Sequence, residues 1–288
     1  MWSEHVAFAK LSLQIKEYLR LIARPEHLPD FGSPPLDEVV IGVQYAPIPG
    51  YSSVFAKDVW GLFKNDYPNI QEQPPLEPSF ETFGGSALQS GMKLHFGPPP
   101  TRGRLWFVSV EQNHLVQFQE DRFLLNWRKR PKDEAYPHFE SIAGLFEGYL
   151  TKLNGLLEDS FTSSLNINQA EVSYINIIPV EDYSALGEWF SFIDLRDFNP
   201  EGINLSFSEI INDNHGKPFA RLFYELQAVV TKDGRVKAFK LALTFRGKPA
   251  GNEISEAMDF AYLGRENIVT RFKELTTNMA HDSWEIRR

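Results

Sequence analysis

From Leu36 to Tyr45 the apolar residues are partly contiguous and partly alternating until Pro47 and Pro49 stop them, which predicts a strand. Over Ser53 to Phe63 the spacing changes, and Phe55, Val59, Trp60 and Phe63 fall on one side of a helix. After a stretch rich in proline and glycine, Arg104 to Val110, His114 to Gln119 and Arg122 to Arg128 alternate apolar with polar residues across short polar turns, so they predict an antiparallel meander. A long amphipathic helix follows over Phe139 to Leu157. The series then returns: a strand over Glu171 to Ile178, a short helix over Leu186 to Asp194, strands near Ile203 to Ile211, Arg221 to Thr231 and Arg235 to Phe245, and a helix over Ile254 to Met279. Lys232-Asp233-Gly234 between the last two strands predicts a tight hairpin.

Residues recur along with elements. Val40 to Ser52 lies on Val172 to Ser184, matching Val40 with Val172, Pro47 with Pro179, Tyr51 with Tyr183 and Ser52 with Ser184. Trp127, Arg128, Arg130 and Pro131 then match Phe245, Arg246, Lys248 and Pro249, and Glu140, Ile142 and Phe146 match Glu266, Ile268 and Phe272. Collinear matches of this kind predict a tandem duplication of a β-α-β-β-β-α unit, an α+β fold whose antiparallel sheet carries helices on one face. Such duplicated units resemble the TATA-binding-protein-like and helix-grip folds, an analogy of fold that carries no function. The expected organisation is an N-terminal helical extension over 1–30, a first repeat over 31–158, a Ser- and Asn-rich linker over 159–168 and a second repeat over 169–288. Within the extension, Phe8, Leu11, Ile15, Leu19 and Ile22 give Trp2 to Ala23 an amphipathic pattern. That helix either covers an apolar face of the body or mediates self-association.

Three stretches carry a family resemblance. Leu28-Pro29-Asp30-Phe31 and Pro34-Pro35-Leu36-Asp37-Glu38-Val39-Val40 open it, and Leu115 to Phe123 with Asn126-Trp127-Arg128 form its centre. Leu263-Gly264-Arg265-Glu266-Asn267-Ile268-Val269, Phe272, Leu275-Thr276 and His281 to Trp284 close it. These motifs resemble a sporadically distributed family of uncharacterised prokaryotic proteins, over roughly residues 28 to 285, with the central motif the most specific. The resemblance implies no catalytic residue. The family's patchy occurrence implies a gene context of the defence or toxin-antitoxin type.

A net charge of −9 and a pI near 5.4 argue against the broad basic footprint that nonspecific nucleic-acid binding needs. The chain has no cysteine, which excludes disulfides, thiolate metal sites and cysteine nucleophiles. Its apolar runs fall short of the roughly 20 residues that span a bilayer. Glu4, His5, Lys10 and Lys16 interrupt the N-terminal apolar pattern, unlike a signal peptide, so the expectation is a cytoplasmic protein with no membrane partner. No Gly-x-Ser-x-Gly, phosphate-loop, dinucleotide or His-Glu-x-x-His motif occurs. His281-Asp282 has a distant serine but no readable triad geometry. The Asn212 to Gly216 stretch around His215 reads as a polar hairpin loop before it reads as cation ligands, and Gly84-Gly85-Ser86 with Ser90-Gly91 reads as a loop. No metal and no cofactor are expected.

The most informative polar cluster is Asp121, Arg122, Asn126, Trp127, Arg128, Lys129 and Arg130, with Arg246 as the matching residue of the second copy. An arginine beside a tryptophan at a strand end stacks on the ring while presenting donors to a carboxylate or phosphate. The binding candidates are therefore Arg122, Asn126, Trp127, Arg128, Arg130 and Arg246. A structural reading stands beside this one: Arg122 paired to an acid, Trp127 in the core, and the Arg128 to Lys132 run keeping an edge soluble. The functional expectation is a non-catalytic module that binds a protein or peptide partner. The alternative is a small-ligand binder or enzyme that uses a cavity between sheet and helices.

Overall fold

The computed structural model describes residues 24–84, 103–130, 136–195, 197–230 and 236–288. The helix expected over Trp2 to Ala23 and the Lys232-Asp233-Gly234 turn lie outside them. The described elements are β1 (Leu36–Tyr45), α1 (Phe55–Phe63), β2 (Asn69–Gln73), β3 (Arg104–Val108), β4 (His114–Gln119), β5 (Arg122–Arg128), α2 (Phe139–Phe161), β6 (Ile167–Val180), a 3-10 turn (Tyr183–Ala185), α3 (Leu186–Trp189), β7 (Asn204–Asn212), β8 (Pro218–Val230), β9 (Lys237–Gly247), α4 (Ile254–Leu275) and α5 (Asn278–Ser283).

The nine strands form one antiparallel sheet in the order β2-β3-β4-β5-β1-β6-β9-β8-β7. The fold is thus α+β, with β1 and β6 paired at the centre around Ile41 and Val172. Outward from that pair the order is β5, β4, β3, β2 on one side and β9, β8, β7 on the other. The expected linker is partitioned: its first residues finish α2 and its last ones begin β6.

Strand alternation sorts side chains between two faces. Val39, Ile41 and Val43 of β1, Phe123, Leu125 and Trp127 of β5, Val172 and Tyr174 of β6, and Leu241, Leu243 and Phe245 of β9 all join one continuous core. Over them lie α2, through Ile142, Phe146, Leu150 and Leu153, and α4, through Ala261, Ile268 and Phe272. Each fully buried side chain of this size contributes roughly 1.5–3 kcal/mol, which fixes the helices to this face. At Gly264 a Cβ would stand 2.9 Å from the Phe245 ring and 3.3 Å from Val172 Cγ2, so glycine lets α4 approach β6 and β9 closely and seats the next residue, Arg265, against the sheet.

Several elements depart from the expected pattern: the short helix expected over Leu186 to Asp194 ends at Trp189, and the strand expected over Glu171 to Ile178 runs from Ile167 to Val180. Strand β2, Asn-Ile-Gln-Glu-Gln, is almost wholly exposed and has no apolar alternation to announce it. The last helix ends at Leu275 rather than Met279: Thr276 turns extended (φ −107°, ψ 154°) and its hydroxyl donates to Phe272 O at 2.7 Å, while the Thr277 hydroxyl caps α5 by accepting from Ala280 N–H at 3.2 Å.

Candidate functional site

The helix face is not sealed everywhere. Residues 30 to 33 pair with the C-terminal tail: Gly32 N–H donates to Glu285 O at 3.0 Å, Ser33 N–H to Trp284 O at 3.0 Å and Arg287 N–H to Asp30 O at 2.8 Å. This rim, the start of α2, the middle of α4 and the strands β1, β5 and β6 enclose a cavity of about 310 Å³. Phe31, Trp127, Tyr136, Phe139, Tyr174 and Phe272 supply aromatic rings to its wall. Trp127 lies 5.2 Å from Tyr136 and Phe139 lies 6.4 Å from Tyr174, ring centre to ring centre, while Phe31 meets Phe272 edge-on at 5.6 Å.

Among the described residues the charged side chains that line the cavity are all cationic. Arg24, Lys129, Arg265 and Arg287 line it, and no carboxylate does among the described residues. Arg265 is only 3% exposed; it reaches Glu140 at 3.0 Å, stacks over the Phe139 ring at 5.3 Å, and its Nε has no hydrogen-bond partner. The Arg24 guanidinium lies 3.7 Å from Asp30, and its Nε is likewise buried without a partner. Arg287 reaches the same Asp30 at 3.9 Å. The Tyr136 and Tyr174 hydroxyls are 3.1 Å apart. Burial pushes Tyr174 up to about 12 and Tyr136 well above the usual tyrosine range, so both stay protonated; one donates to the other, and the second remains a donor. At the rim, His138 adopts φ 64° and ψ 154°, a region nearly reserved for glycine, at a cost of roughly 1–3 kcal/mol.

Among the described residues no helix covers the other face of the sheet, yet that face buries polar side chains. Gln44, Gln117, Gln119, Arg122 and Asn126 are all buried there. Gln117 Nε2 donates to Asn126 Oδ1 at 2.7 Å, and Asn126 Nδ2 donates to Glu38 Oε1 at 2.6 Å, which also receives Arg128 Nε at 3.0 Å. Among the described residues the cover is residues 74–83, an extended strap that follows β2. Its backbone meets Gln119 at Leu76, Arg122 at Glu77 and Gln44 at Ser79, and the Glu81 carboxylate lies between Arg221 and Arg246.

The structure therefore divides the sequence-derived candidates between faces. Arg122, Asn126, Arg128 and Arg246 share the open face; Trp127, 2% exposed, points to the core and the cavity; and Arg130, past the end of β5, donates to Gln112 O at 2.9 Å. The expected arginine–tryptophan stack exists with another ring. Arg128 lies over Trp106 of β3 at 5.1 Å, because Arg128 and Trp127, as neighbours on a strand, face opposite ways. The His215 loop is a hairpin turn, in which Asp213 Oδ1 accepts from the N–H groups of His215 and Lys217 at 2.9 Å each. His281 Nε2 meets Thr276 Oγ1 at 2.8 Å and Lys273 O at 3.1 Å. Among the described residues no group of three or more His, Asp or Glu side chains is arranged to hold a metal ion, and no helix is long and apolar enough to cross a membrane.

Sequence reasoning passed over Arg265, Tyr136 and Tyr174. For Arg265 a signal existed: with Ala261, Ile268 and Phe272 it shares one apolar helical stripe, where a charge is rare unless paired or used. No protein-family model and no curated protein matches the chain.

Proposed function

We propose that this protein binds a small anionic ligand with a flat apolar body in the cavity between its sheet and the helices α2 and α4. The observation that carries the reading is the lining, with aromatic walls and four cationic side chains facing a space that no described carboxylate enters. Buried guanidinium N–H groups without partners are costly, and a carboxylate, sulfonate or phosphate oxygen would satisfy them through charge-assisted hydrogen bonds worth roughly 1.5–3 kcal/mol each. The protonated tyrosine pair adds a neutral donor. The aromatic faces favour a planar ring over an aliphatic chain. Calorimetric titration with 1-naphthoate and its neutral isostere 1-naphthamide tests this: naphthoate is expected to bind at least tenfold more tightly, and equal affinities, or no binding of either, would refute it.

We also infer that the chain arose by duplication of one β-α-β-β-β-α unit, in an arrangement like that of the TATA-binding protein. The order β1-β5-β4-β3 outward from the centre is matched by β6-β9-β8-β7, and a long helix closes each series. Among the described residues β2 has no counterpart in the second series. In this reading the cavity lies near the junction of the copies, where β1 and β6 meet.

A further inference from the structure

We propose that the open face of the sheet is a docking surface for an extended acidic segment of a partner protein, and that residues 74–83 occupy this surface in cis. The recognition is directed at backbone. Gln119 accepts from Leu76 N–H at 2.8 Å and donates to Leu76 O at 2.9 Å; Gln44 accepts from Ser79 N–H at 2.9 Å and donates to Ser79 O at 2.6 Å. Each amide thus makes a reciprocal pair that any residue except proline would satisfy. The spacing also fits an extended chain crossing the strands. Gln119 on β4 and Gln44 on β1 are two strands apart, roughly 10 Å, which is about the reach of three extended residues. Arg122 between them donates to Glu77 O at 2.8 Å.

Two residues beyond Ser79 the surface reads a side chain. Glu81, with its side chain only 7% exposed, receives Arg221 Nε at 2.9 Å and Arg246 Nη2 at 2.7 Å. The specificity is therefore for an acid two positions after the second backbone clamp. Arginines on this face of a chain with net charge −9 complement such a segment. The strap adds nothing to the hydrophobic core, and its Phe80 is 54% exposed, so it can leave without opening that core. Tethering supplies the strap at high effective concentration, which weakens any competitor until the strap is loosened.

The test uses the full chain and a fluorescein-labelled peptide with the sequence of residues 74–84. Glu81→Ala loosens the strap, and fluorescence anisotropy should show the variant binding the peptide at least tenfold more tightly than the wild type. Replacing the peptide's own Glu81-equivalent by glutamine should cost at least tenfold. A folded variant that binds no better than wild type, or that does not distinguish the two peptides, overturns the proposal. A concentration-dependent dimer of the variant would assign the face to a second copy of the chain and overturn it as well. Hydrogen exchange on the wild type guards against a misfolded variant: the Leu76 and Ser79 amides should exchange at least a hundredfold faster than those of Val40 and Ile41 in β1, and equal protection would make the strap a fixed part of the fold.

Discussion

On the open face Arg221 and Arg246 converge on a carboxylate that the chain itself supplies, whereas the cavity across the sheet gathers Arg24, Lys129, Arg265 and Arg287 around a space that no carboxylate lines among the described residues. Both faces draw on the same strands, and residues adjacent in sequence serve opposite sides. Burying a charge is expensive unless it is paired. Where the fold needed a counter-charge on the open face it brought Glu81 across the sheet. At the cavity, Glu140 and Asp30 pair from behind and leave guanidinium Nε groups of Arg24 and Arg265 without partners. That contrast is the ground on which anion binding in the cavity is proposed.

The largest expected effect separates Trp127 from Arg128. Trp127→Ala removes a cavity wall and a core ring, and should lower unfolding stability by about 3–5 kcal/mol in urea titrations followed by circular dichroism. Arg128→Ala, one residue on and facing the other way, should cost about 1 kcal/mol or less, since its pair with Glu38 is partly exposed. Comparable losses would contradict the division of the two residues between faces.

Next in size is the buried pair. Glu140→Ala strands Arg265 in the core and should cost about 3 kcal/mol or more. Added 1-naphthoate should recover part of the loss in a thermal-shift measurement, because it offers Arg265 a new partner. If naphthoate stabilises the variant no more than naphthamide does, the charge of the cavity is irrelevant.

A gain of stability is expected at the rim. His138→Gly relieves a backbone conformation that glycine adopts freely and should stabilise the fold by about 1 kcal/mol, less whatever the added chain entropy costs. A loss would mean that the histidine ring contributes more than the strain costs.

The smallest effect is pH-dependent. Burial holds His281 below its ordinary range, against the hydrogen bond at the Lys273 carbonyl and the nearby Asp282, while the Lys273 charge adds to the lowering. The folded pKa lies below the unfolded value of about 6.5, so the unfolded chain takes the proton first as pH falls. Stability from this residue is complete above that pH and is lost on acidification through the folded pKa. The drop in Tm between pH 7.5 and 5.5 should be smaller in His281→Gln than in the wild type, and an equal drop would remove His281 from the account.

Much of the framework was legible in the sequence because local patterns dictate it. β1 begins and ends where its apolar run and the following prolines place it, and β4 and β5 keep the bounds their alternation gave. β2 was invisible because its residues are polar and exposed, and the end of α4 because Thr276 and Thr277 are unremarkable within a helical pattern until their hydroxyls find partners. The site was only half legible. Arg122, Asn126, Arg128 and Arg246 do share one face, with Arg122 and Arg128 at opposite ends of β5, but placing Trp127 with them overlooked strand alternation, and the ring that Arg128 stacks on comes from β3, two strands away. The cavity depends on residues 30 to 33 meeting the C-terminal tail, a contact between distant parts of the chain that no local pattern records.

The central claim is that the cavity binds an anion through its buried arginine. Replacing both members of the buried pair, Arg265→Met with Glu140→Met, removes the charge while keeping the volume filled, a change that commonly leaves a fold intact. Calorimetry of this double variant should show 1-naphthoate affinity at least tenfold below that of the wild type, with 1-naphthamide affinity unchanged. Undiminished naphthoate binding by the folded double variant would contradict the account.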